Sequence, residues 1–274
     1  MTDQIFRTAN IVIKNDAGSI EIDNLRVEFD IQRGDTSDSD TSKIAIYNLN
    51  KTKRTFCLKQ NSIIQLSVGY QGFSDKPLQK LILLGDIIEV KTKRSNADII
   101  TILECGDTEK TISDSIFNKT FKKGFPIKTI VKELISGFGV IFSGKEIDEK
   151  ISNKKIFSGL TIEGKIKKSL DVILENEGYR FTIQNNQLRL IKITGEKNIN
   201  QALLLKKETG LLDVPFAKKD GEGMEIMAFI NPSLSPGDTI KVESLNINAF
   251  YAVQTLKLKG DTHGRDWFMK IGAI

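Results

Sequence analysis

One histidine, one tryptophan and two cysteines are all that the 274 residues hold of these side chains, and the scarcity excludes whole classes of chemistry. A zinc site with three or four His and Cys ligands would need His263, Cys57 and Cys105 all to converge. No HExxH, no CxxC pair, no GxSxG elbow and no GxxxxGK[ST] loop occurs. Acid–base catalysis near neutral pH draws most often on His, and here there is a single one. Cys57 and Cys105 lie far apart in strand-like or apolar sequence, which fits buried free thiols made in a reducing cytoplasm. Long apolar runs are missing as well. LILL at 81–84 is among the longest aliphatic runs and is far too short to cross a bilayer. The opening MTDQIFRTAN has no apolar core after a basic start, so it is not read as a signal peptide.

What is present is ordinary for a soluble globular protein: 39% hydrophobic and 27% charged residues. The length suits roughly two domains of about 150 residues and buries a core without disulfides or metal. A net charge of +5 and a pI near 9.0 raise nucleic acid as a partner. Against that, the basic residues are mostly Lys, whereas phosphate and base edges favour the Arg fork. They are also scattered among 35 acids, and the 15 Phe mostly occupy strand positions instead of alternating with basic residues as stacking platforms do. A solvated lysine-rich surface is the better reading.

Three groups of residues could carry chemistry. In GDTHGRDWFMKIG (260–272), His263 stands between Asp261 and Asp266 with Arg265 beside them. The flanking segments alternate, and Asp and Gly sit where a hairpin loop wants them, so the stretch reads as a turn. Two carboxylate pairs, Glu175/Glu177 and Asp148/Glu149, fall on helix ends or loops where solvated charge is expected. Arg33-Gly34-Asp35 spells an adhesion tripeptide, but nothing marks the chain as secreted. No catalytic, cofactor-binding or metal-binding residue is therefore assigned.

Periodicity divides the chain. In NLRVEFDIQRG, Leu25, Val27, Phe29 and Ile31 face one way and Arg26, Glu28, Asp30 and Gln32 the other, the period of a half-buried strand. KIAIYNL resumes a strand, Asn50 offers an N-cap for a short helix over 51–58, and SIIQLSVGYQG is another strand. Residues 80–107 read as strand, tight Arg-Ser-Asn-Ala turn and strand. Through about residue 112 the chain is nearly all antiparallel β. The middle shifts to helical spacing. Ile127, Ile130, Val131, Leu134 and Ile135 follow Pro126, with Gly137 as the stop. Thr161 is expected to cap a second helix carrying Ile162, Ile166, Leu170, Ile173 and Leu174 and ending at Gly178. A hairpin turning at Gln-Asn-Asn follows. The last third returns to β. Two short strands flank a cluster with Pro236 and Gly237, and a final hairpin has 260–266 at its tip. In that hairpin either Trp267 or Phe268 should point into the core.

Specific strings then add to composition. KIAIYNLNKTKRTF, SIIQLSVGYQG, LILLGDIIEV and ADIITILECGD, in that order, resemble the first domain of the baseplate hub proteins of contractile-tailed phages and related tail-like particles. TGLLDVPFA, INPSLSPGDTIKVES and AFYAVQTLKLKGDTHGRDWFMKI resemble their closing β domain. The matching positions are Tyr47, Asn48, Leu49, Gly69, Tyr70, Asn231, Pro232, Pro236, Gly237, Gly260, Asp261, Asp266 and Trp267. The resemblance covers both ends of the chain and is weaker through the helical middle.

The resemblance implies a mainly β fold with a small α+β insert, built on two tube-type antiparallel β-barrel or sandwich domains. The first domain is assigned to 1–112, the second to 113–138 with 200–274, and the insert to 139–199. It further implies a non-enzymatic structural protein of the virion tail baseplate, made and assembled in the host cytoplasm. A homotrimer with two such domains per chain would match the six-fold tail tube ring on one face and hold a three-fold central spike protein on the other. No cofactor, membrane or specific nucleic acid is implied as a partner. Two other functions stay open at this point. A basic nucleic-acid-binding β-barrel would show steep salt dependence of DNA binding. A tail-associated cell-wall hydrolase would lose turnover on one carboxylate substitution.

Overall fold

The computed structural model describes residues 6–34, 41–71, 78–106, 115–195, 197–218 and 223–274. They form two units, one made of the strands before residue 107 and after 197, the other of residues 115–195. The class is the expected one: mainly β with a small α+β part.

The first unit is one large, predominantly antiparallel sheet. Its N-terminal strands are β1 (Phe6–Asn15), β2 (Gly18–Ile22), β3 (Val27–Arg33), β4 (Thr41–Tyr47), β5 (Ile63–Gln71), β6 (Leu78–Ser95) and β7 (Asp98–Gly106), with helix α1 (Lys51–Cys57) between β4 and β5. Alternation forms β3 as read: Val27, Phe29 and Ile31 are buried while Glu28 and Asp30 are only partly so. Asn50 caps α1, its side chain accepting from the Lys53 amide at 2.8 Å. Asn96, at φ +52°, turns β6 into β7, a left-handed position that Asn tolerates better than most residues.

The C-terminal strands β13 (Leu203–Leu205), β14 (Phe216–Ala217), β15 (Met224–Phe229), β16 (Thr239–Glu243), β17 (Asn248–Asp261) and β18 (Trp267–Ala273) complete the sheet. Its main path runs β14-β15-β18-β17-β3-β4-β7-β6-β5-β1-β2, with β16 pairing β17 and β13 pairing β16 in parallel. Among the described residues this path does not close into a barrel. The junction of the two strand sets is β3 against β17, from Glu28 opposite Asp261 to Arg33 opposite Leu256. One apolar core serves both sets: Phe29, Ile44 and Leu103 belong to the same cluster as Ile240, Leu258 and Ile271.

The second unit contains β8 (Ile116–Phe121), α2 (Ile127–Gly137), β9 (Ile141–Phe142), α3 (Gly144–Lys150), β10 (Leu160–Lys165), α4 (Ile166–Asn176), β11 (Tyr179–Gln184) and β12 (Gln187–Lys192). Its core gathers Ile130, Val131, Leu134 and Ile135 of α2 with Ile166, Leu170 and Leu174 of α4 and Phe181 of β11. Asn185 and Asn186, both at positive φ, make the two-residue turn between β11 and β12.

Two expectations need correction, and a third gains a second role. Residues 115–138 pack with the α+β unit and not with 200–274, because the apolar stripe of α2 finds its partners on α4 and on Phe121 of β8. Thr161 caps no helix. It lies in β10 opposite Thr120, the two hydroxyls 3.0 Å apart, and the helix begins only at Ile166, after Gly164 at φ +103°. Gly137 is the last residue of α2, as expected, and it is also a point of close approach, where a Cβ would lie 2.5 Å from Ile166 Cδ1. The left-handed residue past that helix is Gly139, at φ +69°.

Candidate functional site

The 260–272 stretch and part of the motif positions, Tyr47, Tyr70, Gly260, Asp261, Asp266 and Trp267, meet at the junction of the two strand sets. Register places Gly260 opposite Phe29 on one side and Trp267 on the other. The Phe29 ring lies over Gly260 so closely that a Cβ there would be 2.2 Å from its Cζ. Glycine at 260 is thus a packing requirement. Trp267, only 2% exposed, meets Phe29 edge-on at 5.5 Å and Tyr70 at 6.1 Å, and Arg7 covers its ring at 5.6 Å. Of the two aromatics in β18 it is therefore Trp267 that points inward, and its ring partners come from the N-terminal strand set.

On the opposite face of β3 the polar side chains form a network. Arg26 donates to Asp261 through Nε at 3.2 Å and Nη2 at 2.8 Å, and Nη2 also reaches Glu28 at 2.7 Å. Its guanidinium stacks over the Tyr47 ring at 4.4 Å, and the Tyr47 hydroxyl donates to Glu28 at 2.6 Å. Burial favours the neutral form of Asp261, but the Arg26 bonds and the backbone amides of His263 and Gly264 outweigh it and hold the carboxyl below its usual range. The bond to Glu28, helped by burial, pushes the Tyr47 hydroxyl up to about 12. Each shift follows from the hydrogen bonds that tie the two groups into the network.

Beside this network is a shallow groove of about 250 Å³, lined by Glu28, Asp30, Lys43, Lys259 and Asp266 among others. Its charges alternate across the strands: Lys259 stands opposite Asp30, Asp30 opposite Lys43, and Lys43 opposite Glu104. Lys257 pairs with Asp30 at 3.1 Å and Lys259 with Asp266 at 2.5 Å. Opposite charges side by side on neighbouring strands stabilise a sheet, and here they bridge the two strand sets.

The residues flagged from sequence do not assemble into a reactive centre. His263 is exposed, its Nδ1 2.9 Å from Thr262 Oγ1. Asp261 is committed to Arg26 and the turn, and Asp266 to Lys259. Glu177 accepts from the Ser152 amide at 3.1 Å, Asp148 pairs with Lys132 at 2.7 Å, and Glu149 with Lys145 at 3.7 Å. Burial pushes the thiols of Cys57 and Cys105 up to about 11 and about 12. Arg33 is buried with its guanidinium donating to the Ile82 carbonyl, so the Arg-Gly-Asp string presents no free arginine, and Asp35 falls outside the described residues. Among the described residues no three His, Cys, Asp or Glu side chains gather as metal ligands. Among the described residues no helix is long and apolar enough to cross a membrane.

The motif positions serve turns and packing. Asn48, at φ +56°, bonds Asp98 at 2.8 Å and accepts from the Ile99 amide at 3.0 Å. Leu49 is buried, and Gly237 supplies a left-handed turn position at φ +87°. Arg26 and Arg7 were not legible as site residues. Their partners Asp261 and Gly264 lie 235 and 257 positions away, and no local pattern announces such a contact.

A family model described as "Baseplate hub gp41" matches residues 9–273. No curated protein sequence matches the chain. Among solved structures, the 43 kDa tail protein of prophage MuSo2 from Shewanella oneidensis is similar, with TM-score 0.64 at 10% identity over 97% of this chain and 98% of that one. A tail protein from Neisseria meningitidis gives 0.64 at 10% identity, covering 97% and 96%. An Escherichia coli component of the type VI secretion system, described as structurally similar to the T4 bacteriophage tail proteins gp27 and gp5, gives 0.57 at 11% identity, covering 92% and 73%. At such identities the likeness is one of fold.

Proposed function

The chain belongs to the baseplate hub gp41 family, a structural role in the phage tail baseplate, and from that premise we propose that it forms a trimeric hub ring in a contractile tail or tail-like particle. Each copy contributes two tube-type β domains, one from the strands before residue 112 and one from those after 200. Three copies then present six similar modules to a six-fold tail tube ring, while the opposite face holds a three-fold central spike protein. The chain acts without catalysis, and it reaches the virion after synthesis and assembly in the host cytoplasm.

The observation that carries this reading is the family match from end to end. The sheet is compatible with it. Its two strand sets are joined side by side, and β14 at one end and β2 at the other have a strand on one side only among the described residues. Unequal ends on one chain suit head-to-tail contact, which gives a ring when the rotation closes. Closure would cover edges that otherwise invite aggregation. The polar segment 33–43, a candidate to reach a neighbour, lies largely outside the described residues.

The test is copy number and symmetry in the assembled particle by electron cryomicroscopy. Three copies about the tail axis are expected. Six copies, or a two-fold dimer at that position, would overturn the reading.

A further inference from the structure

Two short lysine pairs in the α+β unit are held side by side by backbone hydrogen bonds. Lys122-Lys123-Gly124-Phe125 follows β8, and Lys154-Lys155-Ile156-Phe157 precedes β10. The Gly124 amide donates to the Ile156 carbonyl at 2.9 Å, the Ile156 amide to the Phe125 carbonyl at 3.0 Å, and the Ile127 amide to the Lys154 carbonyl at 2.9 Å. The two aromatic rings have opposite fates. Phe125 packs against the unit's core and stacks near Phe121 at 5.4 Å, whereas Phe157 is 93% exposed.

The four lysines are exposed, and none makes an ion pair among the described residues. Four of the unit's acids are engaged elsewhere: Glu133 by Lys119, Glu146 by Lys150, Asp148 by Lys132 and Glu149 by Lys145. Two hydrogen-bonded segments therefore display four unneutralised lysines and one bare ring. An exposed aromatic amid unpaired charge of one sign is how a docking surface is built, the ring as anchor and the charges as steering. Lysine rather than arginine disfavours phosphate recognition by a fork. The other apolar residues of the two segments, Phe125 and Ile156, pack against the core, and one exposed ring offers little to a bilayer.

We infer that the patch formed by Lys122, Lys123, Lys154, Lys155 and Phe157 docks on an acidic surface of a different protein of the particle, with Phe157 entering an apolar recess there. This rests on the baseplate reading and adds a contact to it.

The test is zero-length carbodiimide coupling in purified parent particles, read by mass spectrometry, with acetylation footprints of the same lysines in the particle and in the isolated chain. The expected result is coupling of these lysines to Asp or Glu of another particle protein and their protection from acetylation. Phe157→Ser, which removes no buried group, should weaken retention in the particle by about tenfold or more, with the isolated chain melting unchanged. Equal acetylation in particle and isolated chain overturns the inference. So does coupling only between copies of this chain. Phe157-dependent binding of the isolated chain to phosphatidylserine vesicles or to a single-stranded oligonucleotide, without coupling to a protein, also overturns it. A particle that lacks the chain would overturn the baseplate reading itself, whereas a chain present with free lysines would overturn the patch alone.

Discussion

The sheet unit and the α+β unit bury apolar surface by opposite means. In the α+β unit partners are nearer in sequence: α4 follows β10 directly, β11 returns to β12 through two residues, and α2 meets α4 across one short helix and two strands. In the sheet unit the central pairing joins β3 to β17, and the bonds that secure it, Arg26 to Asp261 and Arg7 to Gly264, span most of the chain. Local contacts cost little loop entropy to close, while distant ones must be repaid by many cooperating residues at the junction. The junction is accordingly dense on both faces, with Trp267, Phe29 and Gly260 on one and Arg26, Asp261, Glu28 and Tyr47 on the other.

That contrast can be broken by mutation. The largest effect is expected from Trp267→Ala, which should destabilise the sheet unit by about 3–5 kcal/mol. In hydrogen exchange the amides of β3, β17 and β18 should lose protection while those of α2 and α4 keep theirs. Unchanged protection at β3 would show that the junction does not depend on the ring. Leu170→Ala is the mirror experiment, costing about 2–5 kcal/mol and exposing α2 and α4 with little change at β17. Equal loss in both units would mean that they unfold as one.

Gly260→Ala tests the junction more gently. Its Cβ would displace the Phe29 ring, at a cost of about 1–3 kcal/mol by denaturant titration. Cost-free acceptance would refute the close approach. Acid should probe the polar face. The folded-state pKa of Asp261 lies below its unfolded value, so its contribution is complete above the unfolded carboxylate range and is lost as pH falls through the folded value. Asp261→Asn should therefore flatten the acid limb of the stability curve, and an unaltered limb would assign acid sensitivity to other carboxylates. The smallest effect is expected at His263. Its ring is exposed, and His263→Ala should stay within about 0.5 kcal/mol of the parent protein and leave assembly and infectivity intact. Normal assembly with lost infectivity would give His263 a role that its surroundings do not suggest.

Much of this was legible without coordinates, and the misses have a common form. The alternation of Val27, Phe29 and Ile31, the Asn50 cap and the Asn185-Asn186 turn are local patterns, and each formed as read. Thr161 misled because Thr followed by a helical stripe satisfies a cap rule, yet its segment gains more as a partner for β8. Gly137 ended its helix as read, but that it also admits Ile166 is a contact no local pattern shows. The assignment of 113–138 failed because a stripe of apolar residues specifies that a helix is covered, not by what. At the junction, Trp267 was expected to point inward only as one of two candidates. Arg26 was read merely as an outward residue.

The sequence by itself determined many of the secondary elements, such as β3 and α1, with their apolar faces and turn residues and, through ordered strings, the family. Those depend on dihedral preferences and on periodicity, which a few neighbouring residues set. Only the tertiary structure decided which strands lie together, that the N- and C-terminal sets share one sheet and one core, and that Asp261 serves Arg26 rather than the His263 imidazole. Pairing between distant strands is selected by the register and packing of the whole sheet, and no single segment carries that information.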